Sequence, residues 1–127
     1  MRIRTALWII AGIYLLSWVM AFTRLGFRWE AIDVPFHFAG GFMLVILALG
    51  ILNTAKIQNL PKWHSFLFAI GFAAIFSVCW EIIEFLLMYY FPRNELFIDP
   101  TVRDTTGDFV TEGLGAILAW FIFHKKQ

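Results

Sequence analysis

The chain has 127 residues, of which 61% are hydrophobic and 15% are charged, and its mean hydropathy is +0.75. A soluble domain averages about 45–50% apolar and about 25% charged residues, so this composition indicates an integral membrane protein with one domain, residues 1–127. The net charge of +1 and the scattered Lys and Arg exclude a basic surface for nucleic acid. A single cysteine, Cys79, excludes an intrachain disulfide.

Four stretches of the chain are long and apolar enough to cross a bilayer, which takes about 20 residues. The sequence therefore predicts an all-α integral membrane bundle with four transmembrane helices, at about 5–23, 34–52, 63–91 and 105–123. Pro35 falls in the first turn of the second helix, where proline is tolerated because that amide has no helical partner.

The first stretch also has features of a secretory signal. Arg2 and Arg4 precede an apolar core that ends in the pattern Val-Met-Ala at 19–21. The core is long for a signal and contains three aromatic residues. We therefore interpret it as the first transmembrane helix.

The positive residues predict the orientation of the bundle. Six of the ten Lys and Arg residues fall on one side, in the N terminus, the second loop and the C-terminal tail. They are Arg2, Arg4, Lys56, Lys62, Lys125 and Lys126. Because cytoplasmic segments carry the excess of positive charge, we expect a plasma (inner) membrane protein with both termini in the cytoplasm. All nine acidic residues lie outside these inner segments.

Several acidic residues and one histidine lie within the predicted helices or at their outer ends. They are Asp33 and His37 on the second helix, Glu81 and Glu84 on the third, and Asp104, Asp108 and Glu112 on the fourth. Helical rise places all three sets in the outer part of a core about 30 Å thick, and spacings of three or four put each set on one face. A carboxylate at membrane depth is costly without a partner, so the sequence predicts one outward-opening pocket.

Small residues continue the same helix faces toward the inner side. Gly40 and Gly41 follow His37, Ala74 and Ser77 precede Glu81, and Gly115 follows Glu112. Small residues let helix backbones approach closely in lipid. We therefore expect close helix contacts beneath the pocket.

Three motifs at these positions resemble the VanZ-like and YjdF-type multi-pass membrane proteins of bacteria and archaea. They are Asp33-x3-His37 with Gly40-Gly41, Trp80-Glu81-x2-Glu84, and Arg103-Asp104-Thr105-x2-Asp108-x3-Glu112-x2-Gly115. Glu112 is closer to the YjdF type, because VanZ-like proteins usually have Asn there. The resemblance implies a small helical bundle of unassigned biochemistry whose acidic residues and histidine form one site.

One imidazole among several carboxylates suits a divalent cation such as Mg²⁺, Mn²⁺ or Zn²⁺. The predicted ligands are His37, Glu81, Asp104 and Asp33. A bound metal could activate water, and Glu84 and Asp108 are the candidate general bases. Arg93 and Arg103 are candidates to hold the phosphate of a lipid or envelope head group.

Two other functions fit the same residues. The polar groups could form a purely structural network that holds the helices in register. Alternatively the chain could be a proton-coupled transporter with Glu112 as a relay, although four helices would then have to assemble as a homo-oligomer.

Overall fold

The computed structural model describes residues 3–22, 33–57, 60–90 and 101–124. All regular structure in these ranges is helical, which confirms the predicted fold class. The helices are α1 (Ile3–Phe22), α2 (Val34–Thr54), α3 (Lys62–Tyr90) and α4 (Val102–Phe123). Each observed end lies within three residues of the predicted one. Among the described residues, α2, α3 and α4 are long and apolar enough to span a membrane, and Ile3–Val19 is a shorter apolar helix.

Helix α2 lies at the centre of the bundle and contacts the other three helices. Every side chain from Met43 to Leu49 is buried, and Val45 and Ala48 have no exposed surface. A helix that is apolar on all sides is stable only when it is surrounded, by protein or by lipid. The described surfaces of α1, α3 and α4 instead expose many large apolar side chains, as expected for helices that face lipid.

Helices α2 and α4 form the most extensive contact between any two described helices. A methyl group added at Gly41 would overlap the backbone carbonyl of Glu112, and one added at Gly115 would overlap that of Phe38. The backbones of α2 and α4 are therefore in contact at Gly41 and Gly115, as expected from the small residues in the sequence. Gly40 does not take part, because an added methyl group there would meet nothing within 4 Å.

Helix α4 begins at Val102, three residues before the predicted start at 105. The Thr101 hydroxyl accepts a hydrogen bond of 3.1 Å from the backbone N–H of Asp104 and caps the helix. The first N–H groups of a helix have no carbonyl partner within the helix, and a Ser or Thr hydroxyl at this position accepts a hydrogen bond from one of them. The cap explains why the predicted start was too late.

Helix α2 ends in a paired backbone motif at Lys56. The Ile57 N–H donates to the carbonyl of Leu52 and the Lys56 N–H donates to that of Asn53, both at 3.1 Å. This pattern requires a left-handed residue after the helix, and Lys56 supplies it with φ of 58°.

Aromatic rings join α3 to α4 at the end of the bundle where α3 begins. Phe66 packs edge-on against Trp120 with centroids 4.9 Å apart, and Trp120 stacks on His124 at 4.2 Å. Trp63 stacks on Phe66 in turn. We call the other end, where α2 and α4 begin and α3 ends, the acidic end.

Candidate functional site

His37 lies at the acidic end between carboxylates from two helices. Its Nε2 atom is 3.3 Å from Asp33 Oδ2 and 3.7 Å from Asp108 Oδ1. Its Nδ1 atom is 4.0 Å from Glu112 Oε2. His37, Asp108 and Glu112 are buried, whereas the Asp33 side chain is 36% exposed. The cluster is therefore open toward the Asp33 side and closed behind it.

The local geometry of the two helices explains why these four side chains meet. Asp33 precedes His37 by one turn of α2, and Asp108 precedes Glu112 by one turn of α4, so each pair shares a helix face. Gly41 lies one turn beyond His37 and touches the Glu112 backbone. The close backbone contact at Gly41 thus brings the Glu112 side of α4 against the imidazole.

A small cavity adjoins the cluster and receives side chains from α1 and α3. It has a volume of about 30 Å³, which is room for one or two water molecules. Tyr14, Ser17 and Trp80 line it together with Asp33 and His37. Tyr14 and Trp80 are in ring contact at 4.9 Å.

The prediction from sequence does not include α1 in the site, because it identifies this helix only as a hydrophobic span. Tyr14 and Ser17 are three residues apart and so lie on one face of the helix. Two polar groups on one face of a membrane helix are the signal that could have placed α1 against the cluster.

The remaining predicted site residues lie outside the closest group. Among the described residues, the ligand atoms of Asp33, His37 and Asp108 lie within 4.8 Å of one another, and Glu81 and Asp104 do not belong to this group. Glu81, Glu84 and Asp104 are partly buried, and Arg103 is exposed. Arg93 lies outside the described residues.

The charges of the cluster do not balance by themselves. A protonated His37 supplies one positive charge, while Asp33, Asp108 and Glu112 supply up to three negative charges within 4.0 Å of the ring. Unpaired carboxylates are costly in a buried membrane site, so further cations are needed, either protons or a metal ion.

Both imidazole nitrogens face carboxylates, an arrangement compatible with a metal on one nitrogen and a supporting carboxylate at the other. Nε2 faces Asp33 and Asp108, and Nδ1 faces Glu112. Metal-bound histidines usually donate their other ring N–H to a carboxylate or carbonyl, which fixes the ring. With bonds of about 2.0–2.2 Å, tetrahedral ligand atoms lie roughly 3.3–3.6 Å apart. Atoms as far apart as 4.8 Å would have to approach each other by about 1.2 Å to share one ion in that geometry.

Residues 3–127 match the family described as "Predicted membrane protein (DUF2238)". The chain belongs to this family. No curated protein and no solved structure shows significant similarity to the chain. Family membership agrees with the apolar helices in identifying a membrane protein, and it assigns no reaction.

Proposed function

We propose that this DUF2238 protein binds a divalent cation at the acidic end of its bundle, with Asp33, His37 and Asp108 as ligands. The observation that carries the proposal is the convergence of one imidazole nitrogen and two carboxylate oxygens within 4.8 Å. One nitrogen with two oxygens suits a borderline or hard ion, namely Zn²⁺, Mn²⁺ or Mg²⁺. Three protein ligands leave a coordination position for water or for an oxygen of a ligand.

The site is proposed to face the outside of the plasma membrane. There the open coordination position would meet a polar lipid or envelope head group, and Arg103 and Arg93 are proposed to hold its phosphate. Arg103 is exposed in the first turn of α4, five residues before Asp108 and at the same end of the bundle. Glu84 is the proposed general base for a metal-bound water, because Asp108 is one of the proposed ligands.

The proposed relationship to the VanZ-like and YjdF-type proteins is supported by where its motifs fall. Asp33-x3-His37 and Asp104-x3-Asp108 carry the resemblance, and three of these four residues form the closest group in the described structure. The carboxylate at Glu112, which favours the YjdF type, faces the imidazole.

Metal binding by the purified protein tests the proposal. Elemental analysis and calorimetric titration with Zn²⁺, Mn²⁺ and Mg²⁺ should show one bound ion per chain. Asp108→Asn should weaken binding by more than about 100-fold, because loss of a direct ligand exceeds the 10–100-fold effect of removing a supporting residue. Asp104→Asn is the matched control, since it removes the same charge from the same helix one turn away from the closest group.

Each alternative function has its own outcome in this experiment. If no metal binds and Asp108→Asn only lowers the unfolding temperature, the cluster is a structural network. If Asp104→Asn weakens binding as much as Asp108→Asn, the ligand set predicted from sequence is the better one. A proton-dependent flux in vesicles that is lost in Glu112→Gln would instead establish transport.

A further inference from the structure

A groove runs between α3 and α4 and changes in polarity along its length. Its wider part, the polar chamber, has a volume of about 410 Å³ and is lined by Glu81, Thr105 and Thr106 beside apolar side chains. Its narrower part, the apolar chamber, has about 210 Å³. Most of its lining is small or apolar, including Ala73, Ala74, Gly113 and Ala116, and Ser77 and Glu112 also border it.

The two chambers are neighbours. Val78 and Phe109 line both of them, so the groove continues from the acidic end toward the middle of the bundle. The first two turns of α4 line the polar chamber, and residues about two to four turns from the start of that helix line the apolar chamber. The order along the groove is therefore polar near the membrane surface and apolar at depth, which is the order of groups in a lipid.

One carboxylate oxygen in the polar chamber needs a hydrogen-bond donor. Glu81 Oε1 is buried and has no hydrogen-bond partner in the described structure. A buried acceptor without a partner destabilises the folded protein, and more so when it is charged. The Thr105 hydroxyl donates to the Glu81 carboxylate, but Oε1 is still left without a partner. The Thr106 hydroxyl does not supply the missing donor, because it donates to the carbonyl of Val102 at 2.5 Å.

We propose that this groove binds a membrane phospholipid whose head group carries a primary ammonium. The ammonium donates to Glu81 in the polar chamber, and an acyl chain occupies the apolar chamber. A carboxylate accepts hydrogen bonds only, so it selects a cationic donor over a phosphate. A second copy of this chain fits less well, because an apolar transmembrane surface brought to this face would leave the Glu81 oxygen unsatisfied.

The proposal does not depend on the cation site. The proposed cation ligands come from α2 and α4, whereas the lipid groove is formed by α3 and α4, and the two sites share only Glu112, which is not one of the proposed ligands. Glu81 is not a member of the closest ligand group. A failure of metal binding would therefore leave the lipid prediction open to its own test.

Head-group preference is the decisive measurement. The purified protein in detergent is titrated with phosphatidylethanolamine and with phosphatidylcholine of identical acyl chains, and bound lipid is counted by native mass spectrometry. Both lipids carry a positive nitrogen, but only the first has N–H donors. We expect about tenfold tighter binding of phosphatidylethanolamine, which corresponds to about 1.4 kcal/mol. Equal affinities would overturn the proposal.

Two variants separate the head-group contact from the acyl-chain contact. Glu81→Leu should bring the ratio of the two affinities to about one, the value expected when the charged hydrogen bond is absent. Gly113→Leu should weaken both lipids about equally, because its side chain would enter the apolar chamber. An added methyl group at Gly113 meets nothing within 4 Å, so the helix can accept the substitution.

Gly107→Leu is the matched control for the acyl-chain variant. It lies on the same helix, has equally open space for a side chain and lines neither chamber. It should bind both lipids as the wild type does.

Unchanged binding in Gly113→Leu, or a preference that persists in Glu81→Leu, would contradict the proposal. A change from dimer to monomer in Gly113→Leu without any change in bound lipid would show that a second copy occupies the groove. Asp108→Asn should keep the lipid preference even where it loses the metal.

Discussion

At the scale of single residues, Lys56 adopts a backbone conformation that most residues avoid. Its φ of 58° lies in the left-handed region, which costs a residue with a Cβ about 1–2 kcal/mol. The conformation is held by the two backbone hydrogen bonds that close helix α2, through Leu52 and Asn53. Glycine is the usual residue at this position because it has no such cost.

Lys56→Gly should therefore stabilise the protein by about 1 kcal/mol, partly offset by the greater freedom of glycine in the unfolded chain. Ala55→Gly is the neighbouring control, because Ala55 has the helical φ of −72° and should lose stability on substitution. Thermal unfolding in detergent measures both. Destabilisation by Lys56→Gly would show that the left-handed conformation is not present in solution.

Glu112 is expected to act through His37 rather than as a ligand. Its carboxylate faces Nδ1 at 4.0 Å, while the carboxylates of the proposed ligands Asp33 and Asp108 face Nε2. Glu112→Gln should lower the metal affinity by about 10–100-fold, because it removes the carboxylate that supports the imidazole ring. The effect should be smaller than that of Asp108→Asn, because all the proposed ligands remain in place. Titration calorimetry of the two variants decides the order. A larger effect at Glu112 would place this residue among the ligands.

At the scale of elements, the contact between α2 and α4 depends on two glycines. Gly41→Ala should destabilise the bundle by about 1–3 kcal/mol, because its methyl group would overlap the Glu112 backbone and force the helices apart. It should also weaken metal binding, since the displaced helix carries Asp108. Unfolding and titration measure the two effects.

Gly40→Ala is the matched control for the glycine contact. Gly40 lies beside Gly41 on the same helix, but an added methyl group meets nothing within 4 Å. The substitution should be neutral or stabilising by up to about 1 kcal/mol, because alanine favours the helical backbone more than glycine does. Equal destabilisation by Gly40→Ala and Gly41→Ala would mean that the closest contact between α2 and α4 is not at Gly41.

At the scale of the whole molecule, the predicted orientation gives the acidic end access to the outside of the cell. Lys56 and Lys62 flank the short loop at the opposite end, and Val102 begins α4 at the acidic end. Both variants are made in a Cys79→Ser background and treated with an impermeant thiol reagent. Lys62→Cys should react only in inside-out vesicles. Val102→Cys should react when the reagent is added outside intact cells, and not in inside-out vesicles. The reverse pattern would show that the bundle has the opposite orientation, with the acidic end in the cytoplasm.

The sequence alone determined the helices and the depth of their polar groups. Hydrophobic stretches set the number and length of the spans, because a bilayer of known thickness leaves few alternatives. Spacings of three and four put His37 with Asp33, and Asp108 with Glu112, on single helix faces. The described structure contains a group of acidic residues and His37 as predicted, with the contacts to the imidazole from another helix made by α4.

Only the tertiary structure decided which carboxylates approach His37. Depth along a helix follows from residue number, but rotation about the helix axis and the order of the neighbours depend on packing across the bundle. The contacts at Gly41 and Gly115 turn Asp108 and Glu112 toward the imidazole. Glu81 has the depth that its position in sequence indicates, but it lines the groove between α3 and α4 instead.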